Sequence, residues 1–372
     1  DFDTTYDPLL VRWSDQDNPF EWVPATTNQA GELHLSNGSY LVTAVDARDE
    51  ILVWSDSAMF RMQYVGPPYV WSFNLINSNV SIASPNAVTS VNNQVFWMGV
   101  DKFYIYAGRL EVLPCTIRQF VFGNINRNQL FQVTSGANEG FNEVWWFYPS
   151  VDSQVNDSYV IYNYLDQVWY YGTLNRSAWL DSPLRQYPMG AFSVQNSYLD
   201  ASLTSSATTV TLMNGNSYPD SGTITVDSED ITYTGISGNS LTGCVRGANS
   251  TTAATHAQYA PVTFKVANQV MYHEYGNDDQ SSTTALPIDA YVESSDFDIG
   301  DGHNFGFVWR ILPDLSFAGS TANNESPTPP RVYLTVKARQ NSGTDYNSDG
   351  SPSVIRTATV PVEQYTGQVY TR

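Results

Sequence analysis

Apolar residues along this chain fall into short runs of aromatic and β-branched side chains, cut by clusters of Asp, Asn, Ser, Gly and Pro. The densest case is residues 141–174. Within it, residues 143–148 (EVWWFY) and 159–164 (YVIYNY) flank a polar segment, and 167–171 (QVWYY) follows a turn at Asp166. No residue set recurs at a spacing of three or four, so no helical face is written here. Trp, Tyr, Phe and Val instead fit a pleated surface, and the spacing predicts a three-stranded meander.

The same grammar recurs along the chain. Residues 9–13 are strand-like, and 1–30 read as the tail of a unit. A first full unit spans 31–66, with strands at 39–45, 50–54 and 59–64, turns at 46–49 and 55–57, and Gly66-Pro67-Pro68 as its close. A second spans 87–114, and its centre, 94–106, can be laid over 50–62: an apolar strand ending in an aromatic, a turn carrying Asp, then an alternating strand. Residues 141–174 are the third unit. The period, roughly 45 residues, is that of propeller blades rather than of sandwich hairpins. One short helix is predicted at about 116–126, with Ile117, Phe120 and Val121 as its apolar stripe.

A fourth unit begins at 177–181 and 189–194, but its next strand is delayed until 268–276. Residues 199–264 differ in composition: Ser, Thr and Gly replace aromatics, Trp is absent, and strand signals stand at 208–213, 222–227 and 229–234. They read as a small β-module inserted at a hairpin tip, where insertion costs little loop entropy. A fifth unit is expected at 290–315, with strands at 290–294 and 305–313, followed by strands at 331–339 and 354–362. The chain stops at 368–372 in what reads as mid-strand, and both ends look truncated. The expectation is an all-β protein: a β-propeller of about six blades, with residues 1–198 as its first part, 199–264 as a small inserted β-domain and 265–372 as its second part.

Composition agrees with strands joined by tight turns: 14% of the 372 residues are aromatic and only 15% are Asp, Glu, Lys or Arg. The net charge of −20 argues against a protein that wraps nucleic acid, which neutralises phosphates with clustered Lys and Arg. It is compatible with DNA sliding past. No apolar run approaches the roughly 18 residues of a membrane span, and no basic-then-apolar leader is present. Cys115 and Cys244 fall in different modules and read as free thiols, compatible with assembly in a reducing cytoplasm.

Candidate chemistry is sparse. His34, His256, His273 and His303 show no metal-ligand or catalytic spacing, and no nucleophile elbow, phosphate loop or dinucleotide fingerprint occurs. Asp345, Asn347, Asp349 and Gly350 match the first half of a calcium loop, but Arg356 stands where the loop needs a bidentate Glu. Asp296, Asp298 and Asp301 share one loop and read as turn caps. Paired carboxylates of the glycosidase kind are expected by chance among 37 acidic residues, and the arginines needed to converge on a substrate are few. The abundant Trp and Tyr could stack on sugars, as in a lectin, but they alternate within strands, which is packing chemistry. The sequence therefore nominates no catalytic, cofactor-binding or metal residue, and reads as a non-enzyme.

Several segments together resemble the propeller-forming tail hub, or nozzle, proteins of short-tailed bacteriophages, the packaged-DNA stabilisation proteins. They are Val11-Arg-Trp-Ser-Asp15 with Asn28-Gln-Ala-Gly31, Glu50-Ile-Leu-Val-Trp-Ser-Asp56 with Met62-Gln-Tyr-Val-Gly-Pro67, and Pro85-Asn86 with Phe96-Trp-Met-Gly99. The series continues through Leu113-Pro-Cys-Thr-Ile117, Phe141-Asn-Glu-Val-Trp-Trp-Phe-Tyr-Pro149, Tyr162-Asn-Tyr164 and Ser295-Asp-Phe-Asp-Ile-Gly-Asp-Gly302. The resemblance covers most of residues 9–198 and 267–313, in order. The inserted module, with Ile231-Thr-Tyr-Thr-Gly-Ile-Ser237 and Leu241-Thr-Gly-Cys-Val-Arg-Gly247, looks like a small β-unit of phage tail proteins and departs from the plain hub pattern. The resemblance implies a virion protein of the tail, assembled in the host cytoplasm. It would form a homo-oligomer, a hexameric ring below the portal and the head–tail adaptor, with tail fibres or spikes at its side. Genomic DNA would pass through the channel without specific binding. A receptor-binding or fibre-docking role for the inserted module is the alternative.

Overall fold

The computed structural model describes residues 6–192, 194, 196–215, 218–219 and 221–265, and beyond them 269–276, 278–279, 286–287, 290–294, 298, 308–317, 331–339, 354–363 and 369–370. The chain is all-β apart from short helical turns, and it divides into two compact units, Asp1–Ile288 and Asp289–Arg372.

The first unit opens with an antiparallel pair, β1 (Leu10–Trp13) and β2 (Gly31–His34). Three four-stranded meanders follow. The first contains β3 (Leu41–Ala47), β4 (Glu50–Ser55), β5 (Met59–Gly66) and β6 (Val70–Asn77). The second contains β7 (Val88–Val91), β8 (Gln94–Met98), β9 (Phe103–Tyr106) and β10 (Leu110–Leu113). After a short helix, α1 (Arg118–Gly123), the third contains β11 (Thr134–Asn138), β12 (Glu143–Tyr148), β13 (Ser158–Asn163) and β14 (Val168–Thr173). In each meander, strands follow one another in chain order across the sheet, all antiparallel. Turn chemistry fixes the register where it is tightest. Val91 pairs with Gln94 across Asn92 and Asn93, whose φ values of 52° and 59° are what a two-residue type I′ hairpin requires.

A fourth sheet is made of β15 (Ala178–Leu180), β16 (Met189–Phe192) and a strand far downstream. Between them lie β17 (Ser197–Tyr198), β18 (Val210–Thr211), β19 (Gly222–Val226), β20 (Glu229–Tyr233), β21 (Gly235–Ser237), β22 (Ser240–Thr242), β23 (Val245–Ala248) and β24 (Pro261–Phe264). The chain then returns as β25 (Gln269–Tyr272), which pairs with β16 from Met189↔Tyr272 to Phe192↔Gln269. The intervening residues build a five-stranded sheet, β17-β24-β19-β20-β23, and a three-stranded one, β18-β22-β21. Their core is separate, centred on Leu199, Leu212, Ile224, Ile231, Leu241 and Val262, and only Phe192 and Met271 join it from the fourth sheet. A two-stranded ladder, β26 (Asp278–Asp279) with β27 (Leu286–Pro287), ends the first unit.

The meanders are apolar on both faces. Along β12, Val144, Trp146 and Tyr148 enter one core, whereas Trp145 and Phe147 enter another. Along β4, Leu52 and Trp54 face the first core and Val53 faces a third, where Val11 and Leu35 of the N-terminal segment also pack. A sheet with two apolar faces must be covered on both, which is why these strands read as unbroken aromatic runs. Successive first strands adjoin: β3 lies by β7, β7 by β11 and β11 by β15. Sheets stacked face to face, with their first strands side by side, are the blade layout of a β-propeller.

One strand each of the first and third meanders escaped the sequence reading. The first meander does not close at Gly66-Pro67-Pro68: β6 follows and is its edge, with Leu75 and Asn74 exposed, so it lacks a buried pattern. The third begins with β11, Thr-Ser-Gly-Ala-Asn, too small and polar to read as a strand. The helix is shorter than expected. Ile117 at its N-cap offers no side-chain acceptor, and Asn126 instead caps a 3₁₀ turn, Arg127–Gln132, by accepting the Asn128 N–H. Its buried residues are Val121 and Phe122, while Phe120 is exposed and stacks on Tyr171.

In the second unit, β28 (Arg310–Ile311) pairs with β31 (Val369–Tyr370), and β29 (Arg331–Ala338) pairs along its length with β30 (Arg356–Glu363). The strand expected at 290–294 is absent: those residues join no sheet, and Tyr291 and Val292 are exposed. Residues 305–307 lie outside the described residues, and only Arg310–Ile311 of the expected 305–313 strand forms a ladder.

The closeness of adjacent first strands is testable at Gly136 in β11, where a Cβ would run into the Trp179 indole of β15. Gly136→Ala is expected to destabilise the protein by about 1–3 kcal/mol through overpacking, read as a fall in the urea midpoint, with Gly140→Ala, whose Cβ would meet only the Asn138 side-chain oxygen at 4.0 Å, as the control.

Candidate functional surfaces

The tryptophans act first as fasteners between sheets. The Trp146 indole N–H donates to the Ala87 carbonyl at 3.0 Å, Trp169 to Pro114 at 2.9 Å and Trp179 to Ala137 at 2.7 Å. Each bond joins one meander to a neighbouring segment and satisfies a buried donor that would otherwise carry a desolvation penalty. The Ser84 hydroxyl adds another by donating to the Val133 carbonyl. With their rings packed and their N–H groups occupied, these residues are not free to stack on a ligand.

Ionisable groups gather where the third meander meets the fourth sheet. Glu143, at the start of β12, accepts the Trp145 indole N–H at 2.9 Å, and Asn138, at the end of β11, donates to Glu274 at 3.2 Å. Burial raises the Glu143 pKa, and the nearby Glu274 carboxylate raises it further, against the lowering effect of the Trp145 bond. Glu274 sits just past β25 with φ 59°, a left-handed conformation uncommon for such a residue. Beneath it, the Arg176 Nε donates to His273 Nε2 at 2.7 Å, and Trp179 packs 4.5 Å from the His273 ring. Burial, aided by the Arg176 charge, pushes His273 down to about 3, so the ring is neutral and its Nε2 accepts. A carboxyl of raised pKa beside a second carboxylate is acid–base equipment. Neither of the cavities of about 400 and 380 Å³ is lined by these residues, however.

The inserted module holds the densest polar network. Glu229 at the start of β20 is 1% exposed and accepts from Arg246 Nε and Nη2 at 2.8 and 2.7 Å, from the Gly247 and Ala254 N–H groups at 2.9 Å each, and lies 2.8 Å from His256 Nε2. The other ring nitrogen of His256 lies 2.7 Å from Asp227. Burial works against the Glu229 charge, but the bonds from Arg246, Ala254, His256 and Gly247 outweigh it and hold the carboxyl at about 2. Arg246 also donates to the Thr204 and Ala254 carbonyls. The network ties the loop after β23 to the β19–β20 hairpin.

Of the sequence candidates, His34 is a surface residue 3.3 Å from Asp7, and His256 and His273 serve the two clusters above. His303, Asp296, Asp301 and residues 340–353, which include Asp345, Asn347, Asp349 and Gly350, lie outside the described residues. Both cysteines are free, and burial pushes Cys115 up to about 11 and raises Cys244. Among the described residues, no group of three His, Cys, Asp or Glu could hold a metal, and no helix is long and apolar enough to cross a membrane. The sequence reading missed both clusters because their members come from distant strands: Glu143 meets Glu274, and Glu229 meets Arg246 and His256, with no local motif joining them.

No family model and no curated protein matches the chain. Among solved structures it is similar to the N-terminal domain of Nup159, at 13% identity and a TM-score of 0.23, over 58% of this chain and 49% of that one. The chain thus spans about half the length of that structure. A likeness at that level carries no argument, and the propeller-type layout rests on the sheets themselves.

Two outcomes follow from the clusters. A carboxyl whose folded pKa is raised weakens the fold as the pH climbs through that pKa and has no effect below the unfolded value. Glu143→Gln, which keeps an acceptor for Trp145, should therefore be more stable than the parent at pH 7 and equal to it at pH 4 in chemical denaturation. Glu229 has the opposite sign: its stabilisation is present above about pH 4.5 and is lost as the pH falls toward 2. Glu229→Gln leaves Arg246 buried without its counter-charge and is expected to cost about 3–5 kcal/mol at pH 7. Hydrogen exchange across residues 245–256 should quicken, and the difference from the parent should shrink as the pH approaches 2.

Proposed function

We propose that this chain is a structural, non-enzymatic subunit of the tail hub or nozzle of a short-tailed bacteriophage. In this reading it forms a hexameric ring below the portal and adaptor, closes the DNA channel to retain the packaged genome, and guides its ejection. The single observation that carries the reading beyond the sequence resemblance is the stack of two-faced sheets, whose tryptophans are committed to fastening one sheet to the next. Such an array is a rigid wall. A propeller of about six blades fits the same role.

The charge supplies a mechanism for transit. DNA carries about one negative charge per 1.7 Å of axis, so a wall rich in Asp and Glu repels it rather than gripping it. With −20 per chain, six copies carry −120. DNA is thus a passenger, and the lasting partners are other copies of the chain, the adaptor above, and fibres or spikes at the side. The inserted module favours a second role. It has its own sheets and core, and its ends leave and re-enter at neighbouring strands β16 and β25, so it can project as an attachment unit for a receptor or fibre without disturbing the array.

Purified virions are expected to contain the protein in the tail as a ring of six, and the assembled species to have about six times the 41.4 kDa chain mass. A stable monomer absent from virions, or a lumen lined with basic residues, overturns the proposal. Deleting residues 199–264 should leave particles that retain DNA but lose fibres or fail to adsorb; leaking heads would place the module in the hub role instead.

A further inference from the structure

A groove of about 400 Å³ opens between the outer strands of the first two meanders, lined by Arg61 from β5, Asn74, Leu75, Ile76 and Asn77 from β6, Tyr106 from β9, and the 108–110 turn into β10. Its charge is unusual for this molecule: two of the 17 basic residues, Arg61 and Arg109, line one groove of a chain carrying 37 acids. Arg109 is a rim residue, mostly exposed and paired with Glu111. Arg61 is the floor. Its Nε is buried with no hydrogen-bond partner, the nearest carboxylate oxygen, Glu50 Oε2, is 3.6 Å away, and its side chain is 36% exposed toward the groove. The Tyr106 hydroxyl lies against both Glu50 and Arg61. A guanidinium carries five donors in a planar fork suited to a carboxylate; with Nε closed off, the terminal Nη groups are the ones that can meet an acceptor in the groove.

The neighbours narrow the ligand. Glu50, beneath Arg61, already offsets part of its charge, which disfavours a dianion such as phosphate and leaves room for one negative charge. Asn74 and Asn77 line the wall, and with the Asn77 oxygen taken by the Asn79 N–H its amide NH₂ is left as a donor, an arrangement that suits hydroxyls flanking the anion. The volume is that of a small-ligand site. We propose that this groove binds a carboxylate-bearing sugar residue of the uronic-acid kind, its carboxylate on Arg61 and its hydroxyls on Asn74 and Asn77. No residue of the inserted module lines it.

The test is calorimetric titration of the full chain with free glucuronate, with glucose as the neutral sugar and N-acetyl-aspartate amide as a peptide carboxylate. Glucuronate should bind saturably and both comparators at least about tenfold more weakly, the loss expected when a charge-assisted hydrogen bond is removed. Arg61→Gln should abolish binding. Because Arg61 is partly buried, Asn77→Asp is the companion variant. Asn77 is exposed and accepts the Asn79 N–H at 2.7 Å through its side-chain oxygen, which Asp retains. Asn77→Asp should keep the parent's melting temperature and bind glucuronate about tenfold more weakly by repulsion. No saturable glucuronate binding, or affinity unchanged in Asn77→Asp, overturns the proposal. Equal or tighter binding of the aspartate amide overturns the sugar assignment and makes the groove a dock for acidic peptide.

Discussion

The structure depends on sheets that are apolar on both faces. Alternation along a strand normally sends one set of side chains to a core and the other to water, but in β12 both sets are large and buried: Trp146 and Tyr148 on one side, Trp145 and Phe147 on the other. Such a sheet is unstable alone and satisfied only between two others. Each meander is therefore forced to stack. The second meander lies within the largest core, and the first and third each give it one face and turn the other to separate clusters. Stacking alone would leave the sheets free to slide. The indole N–H groups of Trp146, Trp169 and Trp179 remove that freedom, because each finds its acceptor at one carbonyl of a neighbouring segment, so the hydrophobic contact acquires a register.

The inserted module solves the same problem with different chemistry. It has few aromatics, and its core is mostly aliphatic, with Tyr218, Tyr233 and Phe264 buried among the aliphatic side chains. What fixes its long loop is Glu229, a buried charge whose desolvation is offset only because two Arg246 nitrogens, two backbone N–H groups and His256 converge on it. A buried ion pair of this kind specifies one loop geometry more than it adds stability. The joint at β16 and β25 confines that geometry to the module, since the ladder from Met189 to Phe192 continues the fourth sheet across the insertion.

Legibility followed burial. Strands buried on both faces, such as β4, β8, β12 and β13, were plain in the sequence because nothing but a strand accounts for four to six consecutive large apolar residues without helical spacing. The edge strand β6 and the inner strand β11 were not. β6 is exposed along much of its length, and β11 is built of small residues because Trp179 occupies the space a side chain at Gly136 would need. The place of insertion was legible as a composition shift at 199 and a return of aromatics near 268. The polar clusters were invisible for a different reason: Glu143 and Glu274 are 131 positions apart, and only the joining of β25 to the fourth sheet brings them together. The Arg61 groove was equally hidden, since its two walls belong to separate meanders.

These arrangements bear on what the molecule can do. Catalytic groups must be held by the protein yet left with an unused valence toward the substrate. Glu229 has its oxygens occupied by internal donors, His273 is kept neutral with its Nε2 engaged by Arg176, and both thiols are pushed toward their protonated form by burial. The Glu143 pKa is raised by burial, but Glu143 accepts the Trp145 N–H, Glu274 accepts from Asn138, and neither lines the two cavities described above. Polar chemistry in the described residues is thus mostly consumed in holding shape. Arg61 differs in its placement, because it lines a groove while partly exposed, with Glu50 3.6 Å from its Nε. A partly exposed guanidinium at a groove is the arrangement that suits recognition of a planar anion.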